Sequence, residues 1–436
     1  MKFTRSVPLL AFGLLQLVAG LTAAQELGIP RGAHGAATET YQQQALDKLL
    51  QNAAGQTAAQ YGVDPVIPDA LIQADNRTTE ARIALGRKLF FEPKLSRDNS
   101  VSCATCHDVT RGFCDQRPTS EGVDAQLGKR NAPTVMNIGE LTTMFWDGRS
   151  PTIEHQAMQP IVNPIEMGMT AEETKIIAPI KDDPEYQKLF QQAYGRDVNY
   201  ADIGNALAVF ERTLKFTDAP FFRYLKGDAT AISEDAKAGW ELFNGKARCM
   251  TCHPMSVSRP AGSDSRFHNI GIAARTQDFE KIAEEAKTIL AKDSSFTKLE
   301  ELALNSHYGE LGRALYTGRR ADIGAFRTPI LLNVGITFPY MHDGSLETLW
   351  DVIDHYNKGG EPNLYLDGGI EPLNLTEREV DQLVAFLFSL TDVRFQKEND
   401  AAQTRMLRQS RQQRATRDPD IAGRKVLQFQ YRLEEK

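Results

Sequence analysis

Cys103-Ala104-Thr105-Cys106-His107 and Cys249-Met250-Thr251-Cys252-His253 hold four of the chain's five cysteines in two copies of C-x-x-C-H. That spacing is the attachment sequence for c-type haem, and it decides the fold. Each thiol adds across a haem vinyl group, and the adjoining histidine, His107 or His253, is held where its imidazole can reach the iron. With five cysteines and eight histidines in 436 residues, random placement gives about 0.001 copies of the motif. Zinc is the main alternative, because C-x-x-C pairs also build zinc sites. The pairs lie more than 140 residues apart, and a histidine directly follows each second cysteine. Two disulfides would leave that histidine without a reason.

The N-terminus supports haem attachment independently. Lys2 and Arg5 precede an apolar run from Pro8 to Gly20, and Thr22-Ala23-Ala24 offers small residues for cleavage. This is the pattern of a secretory signal peptide over residues 1–24, cleaved near Ala24. The apolar run is too short to span a bilayer, and no later stretch reaches 18 apolar residues. The expectation is a periplasmic protein that is not membrane-embedded. The formal charge is −7, and removing Lys2 and Arg5 takes it to −9. That balance argues against nucleic acid as a partner. At 41% hydrophobic and 25% charged residues, the composition is that of a globular protein.

Periodicity predicts a mainly α fold. The expectation is two cytochrome c-like haem domains with long irregular loops and few short strands. Residues 25–78 read as an N-terminal arm with one helix near Thr40–Asn52. Residues 79–225 read as the first haem domain and 226–395 as the second, with an insertion at about 273–320. Helices are expected from Ile83 to Phe91, stopped by Pro93, from Asp202 to Phe216, and from Ser233 to Phe243. A further one spans Phe279 to Ala291. Thr376 and Glu379 form a capping box that opens a helix to Leu390, with Val380, Leu383, Val384 and Leu387 as its buried stripe. The charged and Gln-rich residues 396–436 read as an extension outside the core. No repeat is expected beyond the haem motif.

Six ordered blocks then carry a resemblance. They are Arg130-Asn131-Ala132-Pro133-Thr134, Phe145-Trp146-Asp147-Gly148-Arg149, Asn163-Pro164-Ile165-Glu166-Met167, Phe267-His268-Asn269-Ile270-Gly271, Gly324-Ala325-Phe326-Arg327-Thr328-Pro329 and Pro339-Tyr340-Met341-His342-Asp343-Gly344. With the two haem motifs, the stretch from about Leu85 to Thr391 resembles the bacterial di-haem cytochrome c peroxidase and MauG family. The resemblance implies an enzyme that reduces hydrogen peroxide. The first haem, on His107, is where peroxide reacts. The second, on His253, stores and relays oxidising equivalents.

The resemblance also assigns roles. Glu166 matches the distal acid that moves a proton between the peroxide oxygens; alone it would read as a surface glutamate. Gln156 and Pro160 match the distal pocket of the first haem, where the bland reading is ordinary helix and turn. Trp146 matches the tryptophan between the haems; a lone Trp is usually core. Asn131, Thr337 and Pro339 match positions that give oxygens to an inter-domain calcium ion, a hard cation that accepts backbone carbonyls.

Two departures point to the MauG-like subgroup. The loop Thr119–Lys129 has no histidine to cap the first iron, so that site is expected to be open at rest. Where many relatives carry a methionine ligand to the second haem, this chain has Tyr356, with His355 beside it as the other candidate. Phenolate is a harder, anionic ligand that favours ferric iron. Leu332 replaces a frequent arginine. Cys114 reads as a free buried thiol. His34, His155 and His307 read as surface or packing residues, while His268 and His342 lie in family blocks. The donor is either a small cytochrome c or cupredoxin, or a Trp or Tyr of a partner protein, and the resemblance admits a homodimer. A di-haem electron carrier without peroxide chemistry is the competing class; it predicts two closed haems.

Overall fold

The computed structural model describes residues 36–52 and 75–415. The expected signal peptide and His34 lie outside the described residues. In chain order the first half holds α1 (Ala36–Asn52), α2 (Glu80–Phe90), α3 (Cys103–Cys106), α4 (Ile153–Val162), α5 (Glu173–Lys181), α6 (Pro184–Tyr194) and α7 (Tyr200–Arg212). The second holds α8 (Pro220–Leu225), α9 (Glu234–Asn244), α10 (Phe279–Leu290), α11 (Phe296–Asn305), α12 (Ala314–Thr317), α13 (Leu349–Asn357), α14 (Glu377–Phe388) and α15 (Gln396–Ala415). Among the described residues the sheet is a two-residue antiparallel pair, β1 (Phe267–His268) with β2 (Phe326–Arg327). The mainly α expectation therefore stands.

Each half has its own apolar core, organised by one tight helix crossing. In the first, α2 meets α7 at Gly86, where a Cβ would lie 1.9 Å from the Ala206 carbonyl oxygen and 2.8 Å from Phe210 Cβ. In the second, α9 meets α14 at Gly239, where a Cβ would lie 2.0 Å from the Gln382 carbonyl oxygen and 2.8 Å from Phe386 Cβ. Only glycine lets two backbones approach so closely. The helix ends are set locally. Thr79 caps α2 by accepting from Arg82 N, and Thr376 with Glu379 forms both bonds of the box that opens α14. Val380, Leu383, Val384 and Leu387 are buried, as the stripe required.

Four expectations need correction. The helix placed at Asp202–Phe216 begins at Tyr200 and ends at Arg212, because Leu214 and Phe216 are used in a non-helical turn bonded to Asn137. Phe221 and Phe222 belong to the second core, so the change of core falls before them rather than at 225. The C-terminal segment is not outside the core over 396–415. Ala402 and Met406 join the second core, Tyr340 Oη lies 3.7 Å from Met406 Sδ, and Arg414 pairs with Glu377 and Asp381.

The fourth correction is a repeat larger than the haem motif. Residues 133–152 recur at 329–348 in constant register: Pro133/Pro329, Asn137/Asn333, Gly139/Gly335, Asp147/Asp343, Gly148/Gly344 and Thr152/Thr348. The backbone repeats with them. Asn137 and Asn333 are left-handed at φ 58° and 64°, Phe145 and Met341 at 64° and 74°, and Gly148 and Gly344 at 67° and 66°. Met144 pairs with Ser150 as Tyr340 pairs with Leu346. Asn137 and Asn333 both donate Nδ2 to the Phe216 carbonyl, at 3.1 and 3.0 Å.

The insertion expected at about 273–320 makes a third, smaller core. Phe279, Ile282, Leu302, Leu311 and Leu315 pack with Phe326, and Trp146 lies against them. Helix α1 is not a detached arm. Gln42 donates to the Ala104 carbonyl and accepts from Val109 N, both at 3.3 Å, which pins α1 to the first haem motif.

Candidate active site

Both C-x-x-C-H motifs form short turns that present their histidine from the C-terminal end. Ser102 and Thr105 box the first turn, α3; the second, Cys249–Thr251, starts from a left-handed Arg248. No disulfide joins any of the five cysteines. Burial pushes Cys106 and Cys249 up to about 12. Each histidine donates its Nδ1–H to a backbone carbonyl: His107 to Phe113 at 3.3 Å and His253 to Gly262 at 2.7 Å. That contact favours the tautomer with Nδ1–H, which leaves Nε2 with the lone pair a metal would need. Burial lowers His107 to about 4 and also lowers His253, so both imidazoles are neutral, as iron requires.

Beside the second motif lies a cavity of about 400 Å³. Cys249, Cys252 and His253 line it together with Tyr356, Trp146, Asn131, Thr337 and Pro339. The expected second-haem and calcium residues therefore share one space. Arg327 also lines it, fully buried, and its nearest partners are the carbonyls of Phe145 and Thr328. A buried guanidinium answered by carbonyls alone suits an anionic group such as a haem propionate. Asn131 spends Nδ2 on the Arg117 and Pro118 carbonyls, leaving Oδ1 as its side-chain oxygen for a cation. Its backbone oxygen accepts from Trp146 Nε1 at 2.9 Å.

His355 and Tyr356 face different surroundings. His355 is committed at both nitrogens, Nε2 to the Ile270 carbonyl at 2.8 Å and Nδ1 to Arg275 at 3.1 Å. Tyr356 lines the cavity, and burial followed by the nearby Cys249 and Cys252 sulfurs raises its phenol. His268 also lines the cavity and bonds Asp367 at 2.7 Å and Asp264 at 3.1 Å.

On the first side, α4 carries Gln156 and Pro160, and Glu166 follows it. Glu166 is held by Asn163 Nδ2 at 3.1 Å. The loop that lacks a histidine packs on the same block: Val123 N donates to the Glu166 carbonyl, and a Cβ on Gly122 would lie 1.9 Å from the Ile165 carbonyl oxygen. Burial raises the Glu166 carboxyl, Arg149 pulls it down and Glu300 pushes it up. Glu166 in turn is among the charges that raise the Cys106 thiol. Arg149 is itself buried between Asp147 (3.0 Å) and Glu300 (3.2 Å).

Glu300 comes from α11, in the insertion, and sequence reasoning missed it. So was Glu310, which bridges Arg130 at 3.0 Å and His342 at 2.8 Å. Leu332 is buried in the second core, and Cys114 is buried as expected. His155 bonds Ser150 and Gln159, and His307 stacks on Tyr308. His155 is a packing residue, whereas His307 is a surface one with half of its side chain exposed.

A family model described as di-haem cytochrome c peroxidase matches residues 80–230. The chain is 37% identical to the methylamine utilization protein MauG of Methylorubrum extorquens, over 72% of this chain and 79% of that one. It is 32% identical to the cytochrome c551 peroxidase of Nitrosomonas europaea, over 79% and 90%. Among solved structures, a MauG-like protein associated with microbial copper homeostasis matches with a TM-score of 0.62 at 31% identity, over 74% and 92%. The diheme peroxidase BthA of Burkholderia thailandensis shares the fold, with a TM-score of 0.59 at 22% identity.

Proposed function

The chain belongs to the di-haem cytochrome c peroxidase family, and from that premise we propose a periplasmic, MauG-like peroxidase with one open and one closed haem. When bound, a c-type haem would supply iron able to react with hydrogen peroxide or to relay charge. Two cytochrome c-like halves divide these duties. His107 holds the first group and His253 with Tyr356 the second. Glu166, whose carboxyl burial raises, holds and returns the proton that must cross between the peroxide oxygens. Gln156 lines the same face. Trp146 lies between the two sites and passes electrons. Asn131, Thr337 and Pro339 would hold a calcium ion, whose charge would tie the halves to each other. The electrons come from a protein redox partner: a small cytochrome c, a cupredoxin, or the Trp or Tyr of a protein substrate.

The observation that carries this reading is one of register. The repeat that relates 133–152 to 329–348 places Pro160 of α4 opposite Tyr356 of α13. A residue with no ligating atom stands where the other half has a phenol. Ferric optical and EPR spectra of the holoprotein test it. The expected result is one high-spin and one low-spin haem, with prompt change on adding one equivalent of peroxide. Two low-spin haems inert to peroxide would make the protein an electron carrier.

A further inference from the structure

Glu140 closes the 3₁₀ turn Ile138–Glu140 of the first half, yet its carboxylate serves the second. Oε2 accepts from Ala261 N at 3.2 Å. Ala261 belongs to the loop that ends in Gly262, whose carbonyl takes the His253 Nδ1 at 2.7 Å. Within the second half the loop is held by Leu331 N on the Ala261 carbonyl and by Ser263 Oγ on Thr328. From the first half, Glu140 bonds to this loop. The turn itself is rigid: Asn137, at its start, is bonded to Leu214 and Phe216. Ile153 of α4, Ala208 of α7 and Ile330 pack around Ile138 and Leu141.

The second oxygen is the informative one. Glu140 Oε1 is buried and has no hydrogen-bond partner. An ionised carboxylate with one bare oxygen is costly, and a proton on that oxygen removes the cost. The charged groups that face it are Lys215, from the segment after α7, and Arg259, from the loop itself.

We propose that Glu140 is a positioning residue for the second haem: it ties the loop behind His253 to the first half and exchanges one proton as that haem changes oxidation state. The link rests on His253 being the ligand. The physical argument is charge balance. Glu140 Oε1 takes one proton from solvent when the centre held by His253 gains one electron from the protein donor, and releases it when that electron leaves. A negative carboxylate close to the proximal loop favours the oxidised state; a neutral acid does not. Burial raises the Glu140 carboxyl to about 7, so both forms are populated near neutrality.

The test is a redox titration of the second haem in the holoenzyme from about pH 5 to about pH 9. In the wild type the midpoint potential should fall as pH rises through about 7, because deprotonation adds negative charge. Glu140→Gln keeps the acceptor for Ala261 N but cannot ionise. Its potential should lie on the wild-type acid limb and lose that fall. A wild-type slope retained in Glu140→Gln overturns the proposal. Should that variant not accumulate, Arg259→Met gives a second route. Removing a cation that stabilises the carboxylate should move the fall to higher pH; an unmoved fall overturns the proposal equally. The resting spectrum of the same samples reports on ligation separately. A second haem without histidine and tyrosine ligands brings down the site reading and this link together. Intact ligation with an unchanged slope brings down Glu140 alone.

Discussion

The two halves share a crossing, a turn and a haem motif, and they diverge at three places. Gly86 against Ala206 and Gly239 against Gln382 are the same close helix contact. Asn137 and Asn333 adopt the same left-handed turn, and Thr152 and Thr348 cap equivalent helices. What differs is the residue at matching register on each helix: Gln156 and Pro160 on α4, Val352 and Tyr356 on α13, the latter two lining the cavity. The proximal carbonyl is also nearer to His253 than to His107, 2.7 against 3.3 Å. A stronger bond at Nδ1 makes the imidazole a better donor to iron. The acid Glu166 has no counterpart, since its register partner is Pro362. One scaffold, used twice, gives two chemistries by changing a few atoms at fixed positions.

Swapping those positions is the severest way to break the comparison. Pro160→Tyr should place a phenol in the first site and abolish the prompt reaction with peroxide, seen as loss of the high-spin ferric signal. Tyr356→Met should leave peroxide binding at the first haem intact and raise the potential of the second, since thioether ligation raises it. Glu166→Gln asks how much of the asymmetry is proton transfer. The rate of the peroxide reaction should drop by about 10²–10⁴-fold with both haems retained.

Gly86→Ala and Gly239→Ala probe what the halves have in common. Each added methyl meets a carbonyl, so each should cost about 1–3 kcal/mol in denaturant unfolding. A large difference between them would show that the crossings are not equivalent. The smallest effect is expected from Glu300→Gln. Glu300 pushes Glu166 up, so removing its charge lets Glu166 ionise at lower pH. If the carboxylate is the proton acceptor, the rising limb of the pH–rate profile should move to lower pH.

Much of this was legible in the chain. The haem motifs, the Thr376 box and the α14 stripe depend on local spacing, and local spacing survives in one sequence. The repeat was not legible because it is carried by Pro, Asn, Gly and Thr at turns. These residues set backbone conformation and leave no hydrophobic period to detect. Helix α15 hid for a related reason. Its buried face runs Asn399, Ala402, Gln403, Met406 and Ser410, mostly polar, so it reads as solvated. Thr391 Oγ1 and the Phe388 carbonyl bond Asn399 there. Glu300 and Glu310 were invisible because their partners, Arg149, Arg130 and His342, are brought to them only by the packing of the insertion.

The carbonyl of Phe216 serves as acceptor for one amide from each half. A single atom at the pivot leaves no slack for independent rotation. Melting the first half, to which Phe216 belongs, strands the buried Asn333 of the second, at about 1–3 kcal/mol for the abandoned donor. Heat should therefore take the molecule apart in a single cooperative event, visible as one calorimetric peak, even though two separate nuclei sustain it.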